Sequence, residues 1–204
     1  MISRAIVLTL AILAILAAPV LAQTPPQRLR GEVLSFDGHW MKLKNRNGET
    51  QSIEFSDKTT YVGVVKAERS AIKTGVFVGI ANVKGSGDAM VAEEVLVFPE
   101  AARGSNEGNY AWDLTPGGMM TNANITAMVE SNKGPELTLS YKNKDGTGGD
   151  VKIQVPPNTP VVTFDKADKA DIKAGGHVLV VAAKDGDKLT ALRVLVGKGI
   201  KPPM

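Results

Sequence analysis

Apolar and polar residues alternate through much of the chain. MKLK (41–44), QSIEF (51–55) and VKIQV (151–155) place apolar side chains at every second position, the period of a strand that buries one face. The runs are short and are bounded by Asn-Gly, Asp-Gly or other glycine-containing turns, the punctuation of antiparallel hairpins. The spacing predicts strands over 28–36, 39–45, 50–56, 60–65, 75–83 and 89–98, with an equivalent set in the second half. Between the fourth and fifth strands, KAERSAIK (66–73) and KADKADIK (166–173) predict a short helical turn. Its isoleucine, Ile72 or Ile172, is expected to plug a barrel end, and Gly75 or Gly175 to supply the positive φ that stops the turn.

The two halves echo one another. DIKAGGHVLVVAAKDG (171–186) matches AIKTGVFVGIANVKGSG, which begins at Ala71, at an offset of 100. Ile53, Phe55, Thr59 and Val62 match Ile153, Val155, Thr159 and Val162 at that same offset. Leu29, Val33, Gly38, Met41 and Leu43 match Ile125, Val129, Gly134, Leu137 and Leu139 at 96, and Ala92 with Val95-Leu96-Val97 matches Ala191 with Val194-Leu195-Val196 at 99. A repeat with small loop insertions predicts two modules of roughly 70 to 75 residues. The expected fold is all-β: two tandem small OB-like antiparallel β-barrels, each with a short helical turn, joined by a structured linker. Residues 23–99 form the first module, 100–121 the linker, 122–197 the second module and 198–204 a tail. Barrel closure removes the exposed edges that an open sheet would present.

A module this small buries only about 60 per cent of its unfolded surface, so it gains by packing on a neighbour. VAEEVLVF and HVLVVAA abandon alternation and are apolar on both faces, which aims Leu96, Leu179 and Leu195 away from their own barrel interiors. Two readings stand side by side: the leucines cap barrel ends, or they form an interface between modules or between subunits of a homo-oligomer.

The chain opens MISRAIVLTLAILAILAAPVLAQ, with Arg4, an apolar run from Ala5 to Ala18 and Val20-Leu21-Ala22. This is the form of a secretory signal peptide cleaved after Ala22. The run is too short for a membrane anchor, and no second apolar segment follows, so a mature protein without a membrane span is expected in the periplasm or outside the cell. The chain has no cysteine, so stability must come without disulfides. Removing Arg4 from the 24 basic residues leaves 23 against 21 acidic ones, a net charge of +2, too balanced to predict nucleic-acid or anionic-lipid binding.

The pattern Gly-Glu-Val-Leu-Ser-x-Asp-Gly (31–38), an alternating strand, a threonine near a valine pair, Ile-Lys-x-Gly and Ala-x-x-Val-Leu-Val resembles an uncharacterised family of exported bacterial tandem β modules. That family is a domain of unknown function, and some of its members are labelled as metal transporter components. The resemblance covers both modules and implies an OB-like fold and export. Its motifs are structural glycines and core residues, so it implies no catalytic residue, and a permease would need several apolar spans of about 20 residues.

Catalytic chemistry is sparse. His39 and His177 stand at non-equivalent places in the two modules, without a neighbouring histidine, and read as ordinary strand or turn residues. No G-x-S-x-G, H-E-x-x-H or cysteine nucleophile is present. Asp165, Asp168 and Asp171 lie three apart, not at the two-residue spacing of an EF-type calcium loop, and read as a solvated turn. NKDGTGGD (143–150) reads as a hairpin. The ten aromatics are scattered, unlike a stacking face for single-stranded nucleic acid. No enzyme activity, cofactor or metal site is expected.

One stretch departs from the repeat. FPEAARGSNEGNYAWDLTPGGMMTN (98–122) carries Tyr110, Trp112, Asp113, Met119 and Met120, too many large apolar groups for a flexible tether. Its aromatics either seal the two barrels together or line a ligand or partner site between them. The methionine pair admits a soft-metal variant for Cu(I). The function expected is a non-enzymatic periplasmic binding or interaction protein for an unknown envelope protein or small ligand. The alternative is a solute or metal carrier accessory to an envelope transport system.

Overall fold

A computed structural model describes residues 25–86 and 89–202. The expected signal peptide over 1–22 lies outside the described residues. The described chain is all-β, with thirteen strands and three single 3₁₀ turns. The first half supplies β1 (Gln27–Phe36), β2 (Trp40–Asn45), β3 (Thr50–Glu54), β4 (Thr60–Lys66), β5 (Phe77–Lys84) and β6 (Met90–Val97). A strap then carries β7 (Gly108–Ala111). The second half supplies β8 (Met119–Val129), β9 (Glu136–Lys142), β10 (Gly148–Gln154), β11 (Val161–Asp165), β12 (His177–Asp185) and β13 (Lys188–Gly197). Among the described residues no helix is long and apolar enough to cross a membrane.

The ladders do not stay within halves. β5 and β6 pair with β8, β9 and β10 from the other half, and β6 meets β10 through Met90 and Val91 to close a five-stranded barrel. β1, β2 and β3 join β12 and β13 in a second ring, bridged where Glu54 meets Thr190. Each circuit therefore draws three strands from one half and two from the other, which corrects the expectation that modules 23–99 and 122–197 each close on themselves. The physical reason lies in β4 and β11. Rather than turning back, β4 runs parallel to β13 from Thr60 to Val64 and antiparallel to β11 over Gly63 to Lys66, while β11 runs parallel to β6. The two strands carry the chain across in opposite directions. Alternation dictates which face of a strand is buried, but two similar hairpins offer any edge the same hydrogen bonds, so alternation does not select the partner.

Each circuit has its own core. Val33, Met41, Leu43, Ile53, Val180 and Val194 fill the ring, and Val78, Ile80, Val95, Ile125, Leu139 and Ile153 fill the barrel. The isoleucines after the 3₁₀ turns at Arg69–Ala71 and Lys169–Asp171 are exchanged too: Ile72 packs in the barrel, Ile172 in the ring. Gly75 and Gly175 take φ of 85° and 79°, and their amides donate to Ile125 and Val33 carbonyls, each at 2.8 Å. Those bonds revise two repeat assignments, Leu29 with Ile125 and Val33 with Val129. Val33 pairs with Leu43 and Ile125 with Leu139, so Val33 corresponds to Ile125 rather than Val129. Phe36 pairs with Met41 but Met128 with Leu137, making the second hairpin longer by four residues, and this insertion shifts the earlier strand.

A third apolar cluster lies outside both cores. Val64, Ala81, Leu96, Met120, Val162, Leu179 and Leu195 pack together, with Phe98, Tyr110, Trp112 and Phe164 against them. Each leucine so buried contributes roughly 2 kcal/mol. Crossing strands and this layer together tie the halves. Cutting the chain at Gly104–Ser105, through an inserted protease site in the exposed strap, is expected to leave one species of full-length mass in native gel filtration. The fragments should part only in denaturant; two half-size species under native conditions would show that the exchange does not hold in solution.

Candidate functional site: the cleft beside the strap

Alternation on β1, β12 and β13 turns one face into the ring core and the other toward the barrel. On the outward face, Arg28, Val181 and Arg193 are cross-strand neighbours, and Arg30, Leu179 and Leu195 form the next row. The barrel contributes Leu96 from β6 and Met120 and Asn122 from β8. Against β8 lies the strap: β7 pairs Gly108 with Asn122 and Tyr110 with Met120, and the Trp112 amide donates to the Gly118 carbonyl at 2.8 Å. These surfaces enclose a cleft of about 840 Å³, with Phe98 and Phe164 among its lining.

Polar contacts fix the strap. Asn122 Nδ2 donates to the Ser105 and Asn106 carbonyls and to the Tyr110 hydroxyl, at 3.2, 3.0 and 3.1 Å. Asn143 Oδ1, on the β9–β10 hairpin, accepts the Asn109 amide at 2.9 Å. Gly108, at φ 143°, sits where an added Cβ would be 2.7 Å from that same oxygen, so its lack of a side chain permits the contact. Burial raises the Tyr110 phenol above its ordinary range, offset in part by the charge of Arg28.

Trp112 lies among cations. The Arg28 and Arg30 guanidinium carbons are 4.2 and 5.4 Å from its ring centre, and Tyr110 meets it edge-on at 6.2 Å. The indole is half-buried, and its Nε1 is shielded without a hydrogen-bond partner. Arg30, its side chain only 9% exposed, donates to Asp113 Oδ1 at 2.9 Å. Burial alone would raise the Asp113 carboxyl, but that hydrogen bond and the arginine charge outweigh it and hold the group below the usual carboxylate range.

The structure thus brings Tyr110, Trp112 and Met120 to one cleft with Leu96, Leu179 and Leu195. Asp113 stands behind it as the partner of Arg30. Met119 and Met120 are consecutive strand residues whose side chains leave on opposite faces; Met120 is 2% exposed in the apolar layer, so the two sulfurs do not converge on one ion. Among the described residues no cluster of His, Cys, Asp or Glu is arranged for a metal. Asp168 caps the 3₁₀ turn, accepting the Ala170 amide at 2.7 Å, and Asp171 accepts the Asp168 amide at 2.9 Å. His39 lies in the β1–β2 turn and His177 opens β12 opposite Glu32.

Sequence reasoning missed Arg28, Arg193 and Phe164. The signal for the first was present: Arg28 and Arg30 stand two apart in QRLRGEV, one face of a strand. Arg193 and Phe164 become neighbours at 5.9 Å only through the strand exchange. Glu94 was missed as well. It pairs with Ala81 across β5 and β6, is 0% exposed, and has no hydrogen-bond partner on either oxygen. It lines a second cavity of about 690 Å³, around which Lys66, Glu68, Arg69 and Lys201 also lie. Burial pushes its carboxyl up to about 8.

Compared with protein-family models, curated proteins and solved structures, the chain finds no confident match.

Between the ordinary glutamate range and about pH 8, folded Glu94 keeps a proton that the unfolded chain has released, so stability falls as pH rises through that window and levels above it. The loss is on the order of 3 to 5 kcal/mol. Glu94→Gln, which needs no proton to stay neutral, is expected to flatten this slope and to be more stable than the parent at pH 8. Chemical denaturation at pH 5, 6.5 and 8 measures it; parallel curves for the two proteins would exclude a neutral buried Glu94.

Proposed function

We propose that this is a non-enzymatic envelope protein that binds a small ligand in the cleft beside the strap. The observation carrying the reading is the cleft itself: about 840 Å³, walled by leucines and aromatics, with a few polar groups at fixed places, the make-up of a small-molecule site. The signal-like opening of the sequence and the resemblance to exported β modules support the envelope as the compartment. On the same reading each circuit is an OB-like unit, five strands with a 3₁₀ turn whose isoleucine enters the core. The strap is then both seal and wall, since Trp112 is half-buried yet lines the cleft. The alternative, a carrier accessory to envelope transport, uses the same cleft and differs in where the ligand is delivered.

Trp40→Phe leaves Trp112 as the one tryptophan of the two in the chain. In that protein the neutral fluorophore N-phenyl-1-naphthylamine is expected to bind saturably and to quench Trp112. Val181→Phe, which fills the cleft from the ring side, should weaken binding about tenfold. Absence of saturable binding, or binding unaltered by Val181→Phe, would refute the cleft as a ligand site.

A further inference from the structure

The ring wall of the cleft carries two cations in fixed places. Arg28 and Arg193 flank Val181 in one cross-strand row, so their backbones stand two strand spacings apart, about 10 Å. Each guanidinium is laid against an aromatic ring, Arg28 at 4.2 Å from Trp112 and Arg193 at 5.9 Å from Phe164. Contact of this kind draws the cation toward the ring face while leaving its N–H groups able to donate. Arg30 in the next row is committed to Asp113. Among the described residues neither Arg28 nor Arg193 is in ion-pair contact with a carboxylate. The acids that line the cleft belong to the facing wall: Glu107 precedes β7, and Asp145, beside Lys144 on the β9–β10 hairpin, accepts from Thr147 at 2.6 Å. Around the two arginines the half-buried Val181, Phe98 and Phe164 present apolar surface, and Leu179 and Leu195 of the next row are buried beneath it.

We propose that the cleft takes an amphipathic anion, its carboxylate or phosphate-like head held between Arg28 and Arg193 and its alkyl or aryl body lying along the half-buried Val181, Phe98 and Phe164. The proposal rests on the cleft being a ligand site and adds the ligand's chemical class. Two unpaired guanidinium forks above an apolar floor repel a cation and leave their donors unused by a neutral body. A carboxylate accepts from both forks, and charge-assisted hydrogen bonds are the strong ones. The head group is shared by free amphiphiles and by anionic lipids in a bilayer. The recessed cleft between two packed bodies favours the free molecule.

The test uses the Trp40→Phe protein and Trp112 emission. Dodecanoate, dodecanol and dodecyltrimethylammonium are titrated below their micellar concentrations, and phosphatidylglycerol vesicles form a fourth arm. Dodecanoate is expected to bind at least tenfold more tightly than the alcohol, with the cation weakest. In Arg28→Gln/Arg193→Gln, both exposed positions, the preference for dodecanoate over dodecanol should fall to near onefold while N-phenyl-1-naphthylamine still binds. Each single variant should lose part of it, and an unchanged thermal melt confirms the fold. Equal affinity for the three chains overturns the anion proposal and leaves the ligand cleft standing. A preference that survives the double substitution places the anion elsewhere and overturns it too. A response to the vesicles without one to dodecanoate would assign the arginines to a membrane surface instead, and failure of every probe, the neutral fluorophore included, removes the cleft reading itself.

Discussion

Everything else in the molecule depends on the crossing of β4 and β11. These strands pair antiparallel over four residues and then extend to opposite circuits, β4 along β13 and β11 along β6. Their hydrogen bonds join two five-stranded circuits into one continuous ladder. Because each circuit needs strands from both halves, neither can complete its ladder without the other half. The crossing also decides which outer faces meet. It brings β12 and β13 of the ring toward β6 and β8 of the barrel, and the leucines on those strands, with no place in either core, bury against each other. The cleft is the part of that meeting that the packing leaves open.

Much of this was legible in the sequence, and the limits are physical. Strand positions agree within a few residues because alternation and glycine turns are local signals. The 3₁₀ turns, the isoleucines behind them and the positive φ of Gly75 and Gly175 were readable for the same reason. Strand partnership was not readable. β5 carries the same kind of edge as β12, and nothing within either hairpin says whether β8 or β1 is its neighbour. The assignment of Val33 to Val129 failed for a related cause: four extra residues in the β8–β9 connection keep the period of two intact and move the register. Leu96, Leu179 and Leu195 announced themselves because strands apolar on both faces need a second surface. Arg193 did not, since its meaning comes from Phe164, a residue of the strand that crosses over.

Comparison of matching positions shows how two similar circuits enclose an unsymmetrical site. Glu94 and Arg193 each precede a Val-Leu-Val run, and each pairs across its hairpin beside a bulge, with Ala81 and Val181. One is a carboxyl with 0% exposure, held neutral by its surroundings; the other is an exposed guanidinium against an aromatic ring. An ionised carboxylate at Glu94 would be unpaired in an apolar layer, the costliest state available to it. Protonation avoids that cost at neutral pH. Arg193 cannot lose its charge, so it is accommodated only where the wall opens to water.

The same comparison accounts for the shape of the cleft. Leu179 faces Leu195 on the ring side, whereas the matching pair on the barrel side is Gly79 and Leu96. A Cβ at Gly79 would lie 2.6 Å from Asn122 Oδ1 and 3.0 Å from the Phe98 ring. Glycine there lets Phe98 lie close against β5, edge-on to both Phe77 and Phe164 at 5.2 and 5.5 Å. The strap follows directly from Phe98 and Pro99, so placing that ring fixes where the strap begins, and Asn122 then ties its middle to β8. Tyr110 and Trp112 reach the ring wall from that anchored course and stop at Arg28 and Arg30, where cation–π contact replaces apolar packing.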